Sequence, residues 1–137
     1  MDPHDLNRFV TAQAPAFDKA LAELRAGRKQ SHWMWFVFPQ LKGLGVSATA
    51  QHFGIASLDE AAAYLGHPVL GPRLDLATEA VLGAPAPSLR ALLGSPDDLK
   101  FRSSMTLFAQ VRPQPFTTAL ERWCDGADLR TLSLLGL

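Results

Sequence analysis

Cysteine is nearly missing from this chain: Cys124 is the only one in 137 residues. A lone thiol cannot close an intramolecular disulfide, and it rules out a zinc site built from cysteines. Such usage fits a reducing cytoplasm, the expected compartment. Long apolar runs are missing too. The longest, Trp33 to Phe38, falls far short of the roughly 20 residues that a membrane-spanning helix needs. The start, Met1-Asp2-Pro3-His4-Asp5, is acidic where a secretory signal would be basic, so no leader is expected. Excess charge of either sign is absent: 13 Lys and Arg balance 13 Asp and Glu. Counterion release favours basic surfaces, so general nucleic-acid binding is not expected. There is no internal repeat, low-complexity tract, His-x-x-x-His pair, phosphate loop or nucleophile elbow. Neither a metal nor a cofactor is implied.

What remains is ordinary for a globular protein, 47% hydrophobic and 19% charged. The length suits one domain over residues 1–137, large enough for a core without covalent staples. Helical periodicity runs nearly throughout. Asp5 to Gln13 reads as a first helix. Pro15 opens a second, with Phe17, Ala20, Leu21 and Leu24 on one stripe and Gly27 as its stop. Ser31 reads as the cap of a helix over Trp33 to Val37 that Pro39 limits. Ser47 caps a helix over Ala48 to Phe53. Ser57 and Glu60 form a capping box for a helix ending at Gly66. Pro68 opens the next helix, with Pro72 in its first turns. Ser88 starts a short helix that stops at Gly94. Ser95-Pro96-Asp97-Asp98 combines a cap, a proline and two acids suited to the helix dipole. The helix it starts, about 96–111, is apolar around much of its girth and is expected near the centre of the fold. Helices bearing Phe116 to Trp123 and Asp128 to Leu135 follow. Phe36-Val37-Phe38 is the one rival strand signal and is too short to found a sheet. The expected fold is all-α, with about seven to nine short helices.

Two segments carry candidate chemistry. Residues 31–40 hold two of the three tryptophans, with Lys29, His32 and Gln40 at their polar edge. Trp33 and Trp35 can stack a base or ring, Lys29 can pair a phosphate, and His32 can serve as acid, base or ligand. Against this stands plain core packing of the aromatics. Lys100-Phe101-Arg102-Ser103-Ser104-Met105-Thr106 is the second segment, polar within an apolar helix. Its hydroxyls either orient an anion held by Lys100 and Arg102 or bond back to carbonyls one turn earlier. Tyr64 and His67 flank a helix junction with Arg73. The working expectation is a small-molecule site joining Lys29, His32, Trp33, Trp35 and Gln40 to Lys100, Arg102, Ser103 and Ser104. In it His32 is the candidate acid/base and Lys100 the electrostatic stabiliser. The rival expectation is an interaction module without a ligand. Asp97 and Asp98 are assigned to dipole capping, and Cys124 to packing.

The motifs Ser31-His32-Trp33-Met34-Trp35-Phe36, Phe38-Pro39-Gln40, Tyr64-Leu65-Gly66-His67-Pro68 and Asp97-Asp98-Leu99-Lys100-Phe101-Arg102-Ser103-Ser104-Met105 resemble a bacterial family, the domain-of-unknown-function 1810 family. Its members are often mislabelled calpastatin, and the resemblance spans about Asp5 to Leu135. It implies an all-α domain with no established activity. The inhibitor behind the label is disordered and repetitive, and this chain is neither. The order of motifs is also similar to that of NADAR-type ADP-ribose N-glycosidases, where a Glu-Ala-rich helix like that of Glu60-Ala61 precedes a Lys-Phe pair like Lys100-Phe101. That likeness implies an ADP-ribose-like ligand and hydrolysis of a glycosidic bond.

Overall fold

The short apolar stripes are each too small to stand alone, so they collapse on a shared core. A computed structural model describes residues 2–137. Among these, ten helices form: α1 (Asn7–Gln13), α2 (Phe17–Ala26), α3 (Met34–Val37), α4 (Ala48–His52), α5 (Leu58–Gly66), α6 (Leu70–Leu82), α7 (Leu89–Leu93), α8 (Asp97–Ala109), α9 (Phe116–Trp123) and α10 (Leu129–Leu134). The all-α expectation holds. The ten fall on the ten segments read from the sequence, one above the upper end of the seven-to-nine count, and α3, α4 and α7 are only four or five residues long. None of the helices is long and apolar enough to cross a membrane.

Helix α8 is the central element, as its broad apolar girth predicts. It packs against α5, α7, α9 and α10 and buries Phe101, Met105, Leu107 and Phe108. Phe38 meets Phe101 edge-on, and Tyr64 and Phe116 both pack on Phe108. The buried apolar residues form one continuous cluster. Phe36-Val37-Phe38 is not a strand; Met34–Val37 is helical and Phe38 ends the turn. Extended pairing is confined to one bridge. Lys42 donates to the Ile55 carbonyl at 2.8 Å and Ile55 to the Gln40 carbonyl at 2.9 Å, which fixes the backbone on either side of Leu41.

The helix starts at Ser47, Ser57 and Ser88 follow the sequence in that each hydroxyl accepts an amide of its first turn, although Glu60 takes the Ala56 amide instead of closing the capping box on Ser57. Three others do not. Asp5 has φ +50°, outside the right-handed helix, so α1 begins at Asn7 with the Asp2 carboxylate taking the Leu6 and Asn7 amides. Ser31 does not cap α3; its hydroxyl goes to Glu23 instead. Ser95 makes no cap either, because Pro96 occupies the N-cap of α8 and offers no side-chain acceptor. At the end of α2, Gly27 has φ +85°, and a Cβ there would lie 2.7 Å from the Pro85 carbonyl oxygen. Glycine is required on both counts.

Candidate functional site

The two candidate segments do meet. Lys29 leaves α2 and is held to α7 by its amide, which donates to the Leu92 carbonyl at 2.7 Å. Its ammonium pairs with Asp97 Oδ2 at 2.9 Å, and Lys100 reaches Asp97 Oδ1 at 3.4 Å. Asp97, expected as a dipole cap, is therefore the carboxylate between two lysines. One negative charge cannot neutralise both, so the trio keeps a net positive charge. Lys29 lies 5.2 Å from the centre of the Trp33 ring, and Lys100 only 3.7 Å from that of Trp35. The Lys100 contact is within cation–π range and on the pocket side.

Beside Lys100 lies a pocket of about 390 Å³, within the size range of small-molecule sites. Trp35, Gln40, Leu44 and Gly45 form one wall; Leu99, Lys100, Arg102 and Ser103 form the second; Asp128 and Arg130 close the third. Gly45 lets the loop come close, since a Cβ there would sit 2.7 Å from the Ala50 Cβ. Helix α8 fixes the third wall through its hydroxyls. Thr106 Oγ1 donates to the Arg102 carbonyl at 2.8 Å and accepts the Asp128 amide at 2.8 Å. Ser103 Oγ lies 3.1 Å from the Leu99 carbonyl and 3.2 Å from Asp128 Oδ2. The Arg102 guanidinium donates to the carbonyls of Asp125, Gly126 and Ala127 at 2.8–3.2 Å, anchoring the loop before α10. Bonding back to the previous turn, the plain alternative for these hydroxyls, is what Ser103 and Thr106 do. Even so, both also build the site.

Of the expected site residues, Trp35, Gln40, Lys100, Arg102 and Ser103 share this pocket. Lys29 supports it from behind through Asp97. His32 does not join it: the side chain is exposed, as the turn before α3 directs it away from the core, so its pairing with Lys100 as acid/base is not formed. Trp33 is core, 1% exposed, with its indole donating to Glu23 at 2.9 Å. Tyr64 is fully buried; burial pushes its phenol well above its ordinary pKa, and Gln13 donates to its oxygen at 3.0 Å. His67 Nδ1 accepts the Val69 and Leu70 amides at the start of α6, a capping role. Burial likewise pushes the Cys124 thiol up to about 11, so it is protonated at neutral pH and a poor nucleophile.

Ser104 is core, not ligand contact. Its hydroxyl is fully buried and has no partner. An unpaired buried hydroxyl costs roughly 1–3 kcal/mol, so Ser104→Ala is expected to stabilise the fold by about 1 kcal/mol. Urea unfolding checks this; a loss of stability would mean that the hydroxyl is satisfied after all.

Sequence reasoning missed Asp97, Leu44, Gly45, Asp128 and Arg130 as site residues. The acid run at 97–98 and the lone acid at 128 were the available signals, and each also reads as a helix start. A larger depression of about 660 Å³ lies elsewhere, lined in part by Asp75, Glu79, Arg112 and Arg122. Arg112 pairs with Asp75 there at 3.2 Å, and the depression contains none of the candidates.

Relatives give the fold but no activity. The conserved hypothetical protein Rv1873 from Mycobacterium tuberculosis, known from a crystal structure, is 52% identical, with 99% of each chain covered and a TM-score of 0.96. No curated protein matches. The model of a family described as "Protein of unknown function (DUF1810)" matches residues 3–135, and the chain belongs to that family.

Proposed function

We propose that the pocket between the 35–45 segment and helices α8 and α10 binds a small anion bearing a flat ring, of the nucleotide or ADP-ribose class. The observation that carries this reading is the Lys100 ammonium over the face of Trp35 at the pocket edge, 3.7 Å from the ring centre. The same wall system adds Arg130, which is exposed and makes no ion pair among the described residues. Cation and indole together suit a phosphate joined to a base. Hydrolysis of a glycosidic bond is the further step this reading allows, with Asp128, which lines the pocket, rather than His32, which does not, as the candidate base.

A thermal-shift panel of adenosine nucleotides and ADP-ribose tests it. A ligand at 100 times its dissociation constant adds about 2.7 kcal/mol. Lys100→Met should weaken binding at least about tenfold, since a contact to a charged group is worth roughly 1.5–3 kcal/mol. Equal affinity in wild type and Lys100→Met would remove the anion from this pocket. A second reading, a protein-interaction module, draws on Val46, Leu99 and Leu129. All three are exposed and lie on or next to the lining residues; on that reading no compound in the panel shifts the melting curve.

A further inference from the structure

Asp128 divides its two carboxylate oxygens unequally. Oδ2 accepts the Thr131 amide at 3.1 Å and the Thr131 hydroxyl at 2.5 Å, and it lies 3.2 Å from Ser103 Oγ. Its amide is tied to Thr106 at 2.8 Å. The side chain is thus held in one orientation from both ends. Oδ1 has no hydrogen-bond partner among the described residues and is not among the buried atoms left unsatisfied, so it reaches solvent. Capping α10 uses Oδ2 alone, and a serine or asparagine would cap as well.

The second oxygen is not there to balance charge either. Lys100, Arg102 and Arg130 line the same pocket, yet none of them comes within ion-pair distance of Asp128. A rigid, open acceptor beside three cations would repel the anionic part of a ligand. It is useful only if another part of that ligand brings hydrogen-bond donors. A carboxylate oxygen can accept two such bonds, and an acidic side chain reading a ribose hydroxyl is a recurrent solution in nucleotide sites.

We infer that Asp128 Oδ1 accepts the hydroxyls of a sugar diol, so that the pocket selects a phosphorylated ribose over its deoxy counterpart. This rests on the binding reading given above. Lys100 and Arg130 take the phosphate, Trp35 takes the ring, and Asp128 reads the sugar between them. Arg102 spends Nε and Nη2 on the 125–127 carbonyls, so it offers the phosphate its charge and Nη1 alone.

The test is calorimetric titration of wild type and Asp128→Asn with adenosine 5′-monophosphate and with its 2′,3′-dideoxy analogue. Asparagine keeps a carbonyl for the cap and puts an NH₂ where Oδ1 was. Wild type should prefer the ribonucleotide by roughly ten- to a hundredfold, the factor for a hydrogen bond to a charged group. Asp128→Asn should lose most of that preference, because a neutral NH₂ replaces the charged acceptor, and should bind the dideoxy compound at least as tightly as wild type does, because the carboxylate no longer repels its phosphate. Equal binding of both compounds by wild type overturns the role of Asp128 and leaves the pocket reading standing. Binding of neither compound by wild type overturns both. The wild-type comparison decides the matter even if the variant folds poorly.

Discussion

Glu23→Ala lowers the stability of this fold by about 3–5 kcal/mol. At this chain length that is a melting temperature roughly 10–17 °C lower. Glu23 sits on α2 and is 9% exposed. Its Oε1 accepts the Gln30 amide at 2.8 Å, the Ser31 amide at 3.0 Å and the Trp33 indole at 2.9 Å; Oε2 accepts the Ser31 hydroxyl at 2.5 Å. Alanine leaves all four donors without a partner, and the segment they hold leads directly to Trp35. Burial alone would raise the pKa of this carboxyl. The bonds from Ser31, Gln30 and Trp33 outweigh it and bring the value from an ordinary 4.5 down to about 2.

The acid dependence follows from that displacement. The folded pKa lies below the unfolded one, so the contribution is complete above about pH 4.5 and is lost as pH falls toward 2. It amounts to something on the order of 3 kcal/mol. Glu23→Gln separates charge from geometry. The amide oxygen can keep the three donors on Oε1, and the NH₂ can donate to the Ser31 hydroxyl, which leaves a loss of about 1–2 kcal/mol. Its stability should also fall less steeply than that of wild type in the acid limb. Parallel denaturation curves for the two proteins across that window would show that another group titrates there.

Glu23 also marks where sequence reading stops. Its spacing from Ala20 and Gly27 puts it on the edge of the apolar stripe of α2, but nothing local says that its partners lie seven to ten residues ahead. The same holds for Ser31, whose position before an apolar run is a good cap signature. A buried carboxylate with several donors to satisfy simply offered its hydroxyl a stronger acceptor. Periodicity, serine caps and terminal glycines are local signals, and they placed the helices and the centrality of α8. The meeting of Trp35 and Gln40 with Lys100, Arg102 and Ser103 was not readable: both segments carry polar groups that an all-apolar core does not need, but only tertiary packing brings those groups to one cleft. Which aromatic faces the pocket was not readable. Trp33 and Trp35 stand only two positions apart, one just before and one inside the four-residue α3, and tertiary packing alone turns one inward. Asp97 and Asp128 were hidden by ambiguity, since an acid at a helix start serves the dipole whether or not it also pairs or points into a pocket.

Arg8→Ala is the other change expected to cost about 3–5 kcal/mol. The guanidinium uses all five of its donors. Nε reaches the His52 carbonyl at 2.8 Å; Nη1 reaches those of His4 and Asp5 at 2.6 and 2.9 Å; Nη2 reaches the Gly54 carbonyl at 3.0 Å and Glu60 Oε2 at 2.7 Å. Glu60 is itself buried, and its other oxygen takes the Ala56 amide at 3.2 Å. Removing Arg8 strands the buried Glu60 carboxylate and takes a donor from four carbonyls, of which that of Gly54 belongs to a buried residue while those of Asp5 and His52 can turn to water. Lysine carries the charge but has only three donors on one atom, so Arg8→Lys should recover less than half of the loss. Replacing Glu60 as well tells the two penalties apart. If the orphaned carboxylate dominates, Arg8→Met with Glu60→Gln is more stable than Arg8→Met alone. If the carbonyls dominate, the double variant gains nothing. Either result bears on the pocket, because the stretch Arg8 grips ends at Gly54, and the next residue, Ile55, fixes the backbone of Gln40. Loosening it should weaken ligand binding in every surviving Arg8 variant, including those that Glu60→Gln restores in stability.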